Sequence, residues 1–118
     1  MVRMFKPQFA PLVESGEKRQ TVRPIPKRIP IEGQPISLRA WTGLPYRSKQ
    51  RVLREATIKE VRTVLIETDC VTLYDREAGY APERGAFAVA DGFSCWEEMR
   101  QWFEREHSLP FLGVLIRW

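Results

Sequence analysis

Apolar and polar positions alternate along much of the chain, which predicts that strands dominate the fold. The stretch 36–41 alternates strictly, with every second side chain apolar, as in a strand that buries one face. The stretch 51–68 is also strand-like, but its phase changes between Ile58 and Val61, which predicts a bulge or a bend around a barrel. Further strands are predicted at residues 3–6, 71–73 and 111–118.

Two stretches have the spacing of helices instead. In residues 7–15 the apolar side chains fall at positions i, i+3 and i+4, and Gly16 follows as a typical helix-ending residue. Ser94 and Glu97 have the spacing of a capping box, which predicts a second helix to about His107. Its apolar face, expected to be core, comprises Trp96, Met99, Trp102 and Phe103.

The remaining segments are predicted as connections. Residues 75–85 indicate a loop, whereas 86–90 fit either a helical turn or a strand. Many strands, a short early helix and a longer late helix predict an α+β fold: a small, mostly antiparallel barrel with helices at its ends. With 118 residues, the chain is expected to form a single domain spanning residues 1–118.

Charge is divided unevenly along the chain, although the net charge is only +4. Residues 1–59 carry 13 Lys and Arg against 4 Asp and Glu, whereas residues 60–118 carry 6 against 11. A basic half of this kind attracts polyanions such as RNA or DNA, although a merely solvated basic surface would have the same composition. No run is long and apolar enough for a membrane helix, and the N-terminus has no signal-peptide pattern.

These observations predict a cytoplasmic protein that does not enter a membrane. Cys70 and Cys95 lack the spacing of metal ligands, and we expect them to be buried, reduced thiols. The sequence contains no phosphate-binding glycine loop, no Ser-His-Asp set and no zinc motif, so neither a cofactor nor a metal is expected. It leaves the oligomeric state open, and the last strand could be a sheet edge that pairs.

The segment after Gly16 carries the strongest chemical signal. It places the amine of Lys18, the hydroxyl of Thr21 and the guanidinium of Arg23 within six residues. In an extended segment Thr21 and Arg23 share a face, whereas Lys18 must be brought to them by a turn or bulge. The three groups together would bind an electron-rich group, such as a carbonyl, a phosphate or the edge of a base.

This motif, Gly16-x-Lys18-x-x-Thr21-x-Arg23, and the sequence 91–94 (Asp-Gly-Phe-Ser) together resemble the ASCH family. The resemblance covers nearly the whole chain and implies a PUA-like β-barrel, related to domains that bind RNA and modified bases. One branch of that family is an amidohydrolase that removes the acetyl group from N4-acetylcytidine with a lysine, a threonine and a glutamate. The corresponding residues here are Lys18, Thr21 and Asp91, whose carboxylate is one methylene shorter.

Amide hydrolysis defines a role for each residue in this set. Thr21 would attack, Lys18 would accept its proton, and Asp91 would protonate the leaving amine or orient Lys18. Arg23 would steady the oxyanion or a substrate carbonyl. The ordinary structural explanations are a strand threonine, a solvated lysine and a carboxylate in the turn before the late helix, where it suits the helix dipole.

A second set of residues has the composition of a surface for single-stranded nucleic acid. Cations interleaved with aromatic rings can meet phosphates and stack on bases, although the rings could equally be packing residues. The residues expected to bind nucleic acid are Lys27, Arg28, Tyr46, Arg47, Lys49 and Arg51, and Arg39 and Trp41 are expected to contact the substrate.

Three functions are compatible with this sequence. The first is binding of RNA or a modified nucleoside in the Lys18–Arg23 pocket, with hydrolysis of an N4-acylated cytidine as its enzymatic form. The second is a non-catalytic RNA-binding module. The third is a ribonuclease acting on single-stranded RNA, which would use Tyr46, Arg47 and Lys49 near a phosphate but would lack the usual histidine pair, since His107 is the only histidine.

Overall fold

The computed structural model describes residues 1–75 and 78–118, which form an α+β fold. In this part of the chain there are eight strands and three helices. The strands are β1 (Val2–Met4), β2 (Gln20–Pro24), β3 (Pro35–Trp41), β4 (Gln50–Thr57), β5 (Glu60–Ile66), β6 (Val71–Tyr74), β7 (Gly79–Tyr80) and β8 (Phe111–Arg117). The helices are α1 (Ala10–Ser15), α2 (Arg84–Ala90) and α3 (Trp96–Glu106).

The strands form two separate sheets. A three-stranded sheet has the order β1-β3-β4, and a five-stranded sheet has the order β2-β8-β5-β6-β7. All pairs are antiparallel except β1 with β3, which confirms a mostly antiparallel fold. Among the described residues no ladder joins the two sheets, so they do not close into a barrel. Strand β8 lies between β2 and β5, and the expectation that the last strand forms an edge is wrong.

The chain passes from one sheet to the other at Ile58, where the hydrophobic pattern changes phase. Ile58 is 1% exposed, and its N–H donates to the carbonyl of Gln34 at 2.9 Å. The next residue, Lys59, donates its N–H to the carbonyl of Arg117 in the other sheet at 2.8 Å. The predicted bulge or bend within one strand is therefore a break between two strands, each with its own alternation.

The start of α3 differs by one residue from the predicted capping box. Cys95 is the N-cap residue, with extended backbone and no side-chain cap bond. The carboxylate that bonds the Ser94 main chain and hydroxyl is that of Glu98, whereas Glu97 bonds Arg100. The apolar face of α3 is as predicted, since Trp96, Met99 and Phe103 are buried, and Trp102 is half-buried.

The segment between β6 and α3 contains more regular structure than the sequence pattern predicts. The two residues of β7 pair with the end of β6, and α2 begins at Arg84, both within the predicted loop 75–85. Helix α2 forms because the Glu83 carboxylate accepts the N–H groups of Gly85 and Ala86 at 2.9 and 2.6 Å. The pattern leaves 86–90 open between a helical turn and a strand, and the structure has a helix there. Its start at Arg84 has no sequence signal, because glutamate is not among the common N-cap residues.

The buried hydrophobic residues of both sheets and all three helices form one core cluster. No helix in the described part of the chain is long and apolar enough to cross a membrane. Both cysteines are free, but Cys95 is exposed and Cys70 is only half-buried, so the expectation of two buried thiols is wrong.

Candidate functional site

A chain reversal after α1 points Lys18 into the protein. Gly16 ends the helix with φ +89°, a left-handed conformation that glycine adopts without strain. The N–H of Lys18 then donates to the carbonyl of Leu12 at 3.0 Å, and that of Arg19 donates to the carbonyl of Ala90 at 3.1 Å. The second bond fastens this turn to the end of α2, where Asp91 lies. This is the turn that the odd spacing between Lys18 and Thr21 requires.

Lys18 and Asp91 form a buried ion pair. Their side chains are 3% and 4% exposed, and Nζ lies 3.7 Å from the Asp91 carboxylate oxygen Oδ2. The amine also donates a hydrogen bond to the main-chain carbonyl of Asp91. The structure thus places the predicted carboxylate against the predicted amine, across 73 positions of sequence.

Burial shifts the pKa of each partner in the direction that favours its neutral form. It lowers the pKa of Lys18, against the opposing effect of the Asp91 charge. It raises the pKa of Asp91, against the charge of Lys18, the hydrogen bond from Gln20 and the charge of Arg23. Transfer of the proton from the amine to the carboxylate therefore costs less here than in water, which is what acid-base chemistry at neutral pH needs.

Asp91 lies in a turn that leads to α3, as the structural alternative predicts, but it ends α2 and is not the N-cap residue of α3. Asp91 is the C-cap residue of α2 and lies before Cys95, the N-cap of α3. An anion gains no favourable interaction with the helix dipole at a helix C-terminus. Its carboxylate instead accepts a hydrogen bond from Gln20 Nε2 at 3.3 Å and faces Lys18.

Thr21 and Arg23 share a face of β2, as their spacing predicts. Arg23 Nε donates to Thr21 Oγ1 at 2.9 Å, and an Nη of Arg23 donates to the carbonyl of Met4 at 2.7 Å. The guanidinium carbon lies 4.9 Å from the centre of the Phe5 ring. Burial, and next the nearby charge of Arg3, lower the pKa of Arg23 to about 10. Among the described residues no carboxylate lies within 4 Å of this guanidinium, so it is free to bind a ligand oxygen.

All four predicted pocket residues, Lys18, Thr21, Arg23 and Asp91, line one cavity of about 240 Å³. Several of its lining residues are aromatic, and Lys18 Nζ lies 4.9 Å from the centre of the Phe9 ring. The residues that complete the lining are Met4, Phe5, Lys6, Phe9, Val22, Pro24, Trp102, Phe103, Glu106 and His107. Helical spacing predicts Trp102 and Phe103 of this lining as core, and no sequence signal separates a cavity wall from a core position.

Gly92 lets the chain pass close to Lys18. It has φ +97°, and a Cβ at this position would lie 3.0 Å from Lys18 Cδ and 3.2 Å from a Phe9 ring carbon. Gly33 has a similar φ of +91°, but a Cβ added there would meet no atom within 4 Å. Comparing substitutions at these two glycines therefore distinguishes the cost of backbone strain from the cost of crowding.

Replacing Gly92 by Ala should destabilise the protein more than replacing Gly33 by Ala. Each change forces a left-handed alanine, at about 1–2 kcal/mol. Gly92→Ala should cost about 1–3 kcal/mol more, because Lys18 must move in a packed site. Urea denaturation of both variants measures the difference, and equal free energies of unfolding would show that Gly92 serves only the backbone conformation.

The other predicted binding residues lie outside this cavity. Arg39 does not line it, and bonds Ser37 Oγ at 2.8 Å and Gln50 Oε1 at 3.0 Å across β3 and β4. Trp41, at the end of β3, packs against Tyr46 instead, with ring centres 5.1 Å apart and ring planes at 49°. The strand alternation explains this, because Arg39 and Trp41 extend from the opposite face of β3 to the buried Leu38 and Ala40.

The basic residues divide between two loops. Lys27 and Arg28 are exposed in the proline-rich segment, next to exposed isoleucines that line a groove on the five-stranded sheet. Arg47 and Lys49 are exposed in the β3–β4 loop of the other sheet, together with Tyr46, which is 89% exposed. Arg51 is not free, since its guanidinium pairs with Glu14.

Among the described residues no three His, Cys, Asp or Glu side chains group as ligands for a metal ion. In comparisons with known proteins, the chain matches no family model, no curated protein and no solved structure.

Proposed function

We propose that this protein binds a modified nucleoside in the cavity around Lys18 and hydrolyses its acyl amide, as an ASCH-like protein with a PUA-like arrangement of strands. The observation that carries this proposal is the buried Lys18–Asp91 pair in a cavity that Thr21 and Arg23 also line. N4-acetylcytidine is the substrate that the sequence resemblance implies. The amide would occupy the polar end of the cavity, and the base would lie against its aromatic walls.

The size and lining of the cavity support a ligand of this class. At about 240 Å³, it is smaller than the usual pocket for a drug-sized molecule, about 300–1,000 Å³, and suits one base with its acyl group. The rings of Phe5, Phe9 and Trp102 line it and provide apolar surface for a planar ligand. The free N–H groups of Arg23 provide donors for a carbonyl oxygen.

The proposed reaction has two stages. Lys18 gives a proton to Asp91, and its neutral amine accepts the hydroxyl proton of Thr21 as Oγ1 bonds to the acyl carbon. Arg23 stabilises the oxyanion, Asp91 protonates the leaving nitrogen, and the carbon–nitrogen bond breaks. Water then hydrolyses the acyl-threonine: its oxygen bonds to the acyl carbon, the bond from that carbon to Thr21 Oγ1 breaks, and one water proton goes to Oγ1. The other proton leaves as the acetic acid ionises. The products are cytidine and acetate.

Incubation of the purified protein with N4-acetylcytidine, followed by chromatography of the products, tests this proposal. We expect cytidine and acetate in equal amounts and no uridine, because the bond that breaks is the acyl bond. N4-methylcytidine, which has no acyl carbon, is the matched control and should remain intact. If no cytidine is released above the level without protein, the hydrolase proposal fails.

A second function is supported by the β3–β4 loop. Tyr46 is 89% exposed and packs against Trp41, and the cations Arg47 and Lys49 follow it in the same loop. An exposed ring next to cations in one loop favours contact with single-stranded RNA. This surface lies apart from the cavity, so it supports RNA binding whether or not the cavity is catalytic.

Removing two cations from this loop should weaken RNA binding in a salt-dependent way. Affinity falls with salt, and each phosphate contact to a single strand adds about 0.7 to the steepness of log affinity against log salt. Arg47→Ala/Lys49→Ala should therefore make that dependence shallower by about 1.4. Fluorescence anisotropy with a labelled oligonucleotide measures it. The control is Lys59→Ala/Arg105→Ala, with the same charge change at exposed positions outside the loop. Equal slopes for the two variants would exclude the loop as the binding surface.

A further inference from the structure

A line of polar side chains crosses the end of the five-stranded sheet and ends at Asp91. Glu60 in β5, Arg117 in β8 and Gln20 in β2 are directly opposed in register, so their side chains lie on the same face of the sheet. An Arg117 Nη lies 2.7 Å from Glu60 Oε2, and Arg117 Nε donates to Gln20 Oε1 at 3.1 Å. Gln20 Nε2 continues the line to Asp91 Oδ1 at 3.3 Å.

Gln20 is the unusual member of this line. It is 0% exposed, and a glutamine is rarely fully buried unless both ends of its amide have partners. Its neighbours also fix which end is which. A guanidinium can only donate, so the amide oxygen must face Arg117 and the amide nitrogen must face Asp91. Asp91 Oδ1 therefore receives an N–H and has to act as an acceptor.

We propose that Gln20 is a positioning residue of the site: its amide, oriented by Arg117, holds the Asp91 carboxylate as an acceptor and keeps the shared proton on Lys18 in the resting protein. The polar side chains at the end of the sheet would thereby fix the protonation state of Lys18 and Asp91 from which the reaction begins. The catalytic consequence rests on the proposed function, whereas the location of the proton does not.

Several charged or titratable groups surround the Lys18–Asp91 pair. They are Arg23 on β2, Arg3 on β1, Arg117 on β8 and Glu60 on β5, with Lys6, Glu106 and His107 lining the same cavity. Arg23 also favours the ionised carboxylate, but its bonds go to Thr21 and Met4. A change at Gln20 leaves all these charges in place and removes only the two hydrogen bonds of its amide, one to Asp91 and one from Arg117.

The side-chain carboxyl carbon of Asp91, followed by NMR in carbon-13-labelled protein, reports the proton directly. In Gln20→Met, which has similar volume and no donor, the midpoint of Asp91 protonation should rise by about one pH unit. Arg117→Met should cause a smaller rise, because the amide is then free to rotate. The control is Gln101→Met, since Gln101 also donates to a carboxylate, Glu97, at 3.2 Å but on the surface.

The results separate this inference from the proposed function. A raised midpoint in Gln20→Met, with none in Gln101→Met, supports Gln20 as the positioning residue even if no cytidine is released. An unchanged midpoint, or an equal rise in the control, overturns it. If Gln20→Met does not fold, Arg117→Met decides in the same way. Where the protein is active, the pH–rate profile should shift in Gln20→Met and stay in place in Gln101→Met.

Discussion

Replacing Lys18 by Met should lower the free energy of unfolding by about 3–5 kcal/mol at neutral pH, because a buried carboxylate is left without its ion partner. Methionine fills the space of the lysine stem among Phe5, Phe9 and Gly92, so packing changes little. The deficit therefore measures the charge of Asp91, which is only 3% exposed. Urea denaturation, analysed by linear extrapolation, gives the value.

The pH dependence follows from the directions of the pKa shifts. Burial raises the pKa of Asp91 above its ordinary 3.8, so its contribution to stability is full below pH 3.8 and is lost as pH rises through the folded-state pKa. Burial lowers the pKa of Lys18 below 10.5, so the contribution of Lys18 to stability is full above pH 10.5 and is lost as pH falls through its folded-state pKa. Lys18→Met removes the neighbouring cation and so raises the pKa of Asp91 further. The loss of stability in this variant should therefore grow from acid to neutral pH.

Two further variants make this result specific. Lys59→Met removes an exposed lysine and should change stability by less than about 0.5 kcal/mol. Adding Asp91→Asn to Lys18→Met removes the buried charge and should restore part of the loss, with little dependence on pH in the same range. A deficit in Lys18→Met that is the same at every pH would mean that lost packing, and not the unpaired carboxylate, is responsible.

The sequence predicts the local geometry around Lys18 because short-range rules decide it. Gly16 ends α1, the odd spacing to Thr21 requires a turn, and the alternation of β2 places Thr21 and Arg23 together. The partner Asp91 could be proposed only through the family resemblance, since no periodicity links residues 73 positions apart.

Long-range pairing accounts for what the sequence does not predict. The parallel pairing of β1 with β3 and the central place of β8 depend on how the sheets assemble, which alternation does not encode. Gln20 has no sequence signal, because its role depends on Arg117 lying opposite it across two strands. The sequence leaves α2 open between a helical turn and a strand, because an unusual cap, Glu83, begins it.

Replacing Thr21 by Val should reduce kcat for release of cytidine by about 10³-fold or more, the scale seen when a catalytic nucleophile is removed. Valine keeps the branched shape that suits β2, so the strand should persist. The cost in stability should be small, about 1–3 kcal/mol, because Arg23 Nε loses its acceptor. Thr21→Ser keeps the hydroxyl and should retain most of the activity, which controls for the change at this position.

Measuring substrate affinity shows whether Thr21 attacks the substrate or only helps to bind it. If Thr21 is the nucleophile, Thr21→Val should still bind N4-acetylcytidine with nearly the affinity of the wild type, since Arg23 and the aromatic walls remain. Mass spectrometry of the rapidly quenched wild type should then detect an acetyl group on Thr21, which the valine variant lacks. Turnover that persists in Thr21→Val would assign the attack to water activated by Lys18, and Thr21 would only orient Arg23 through the bond from its Nε.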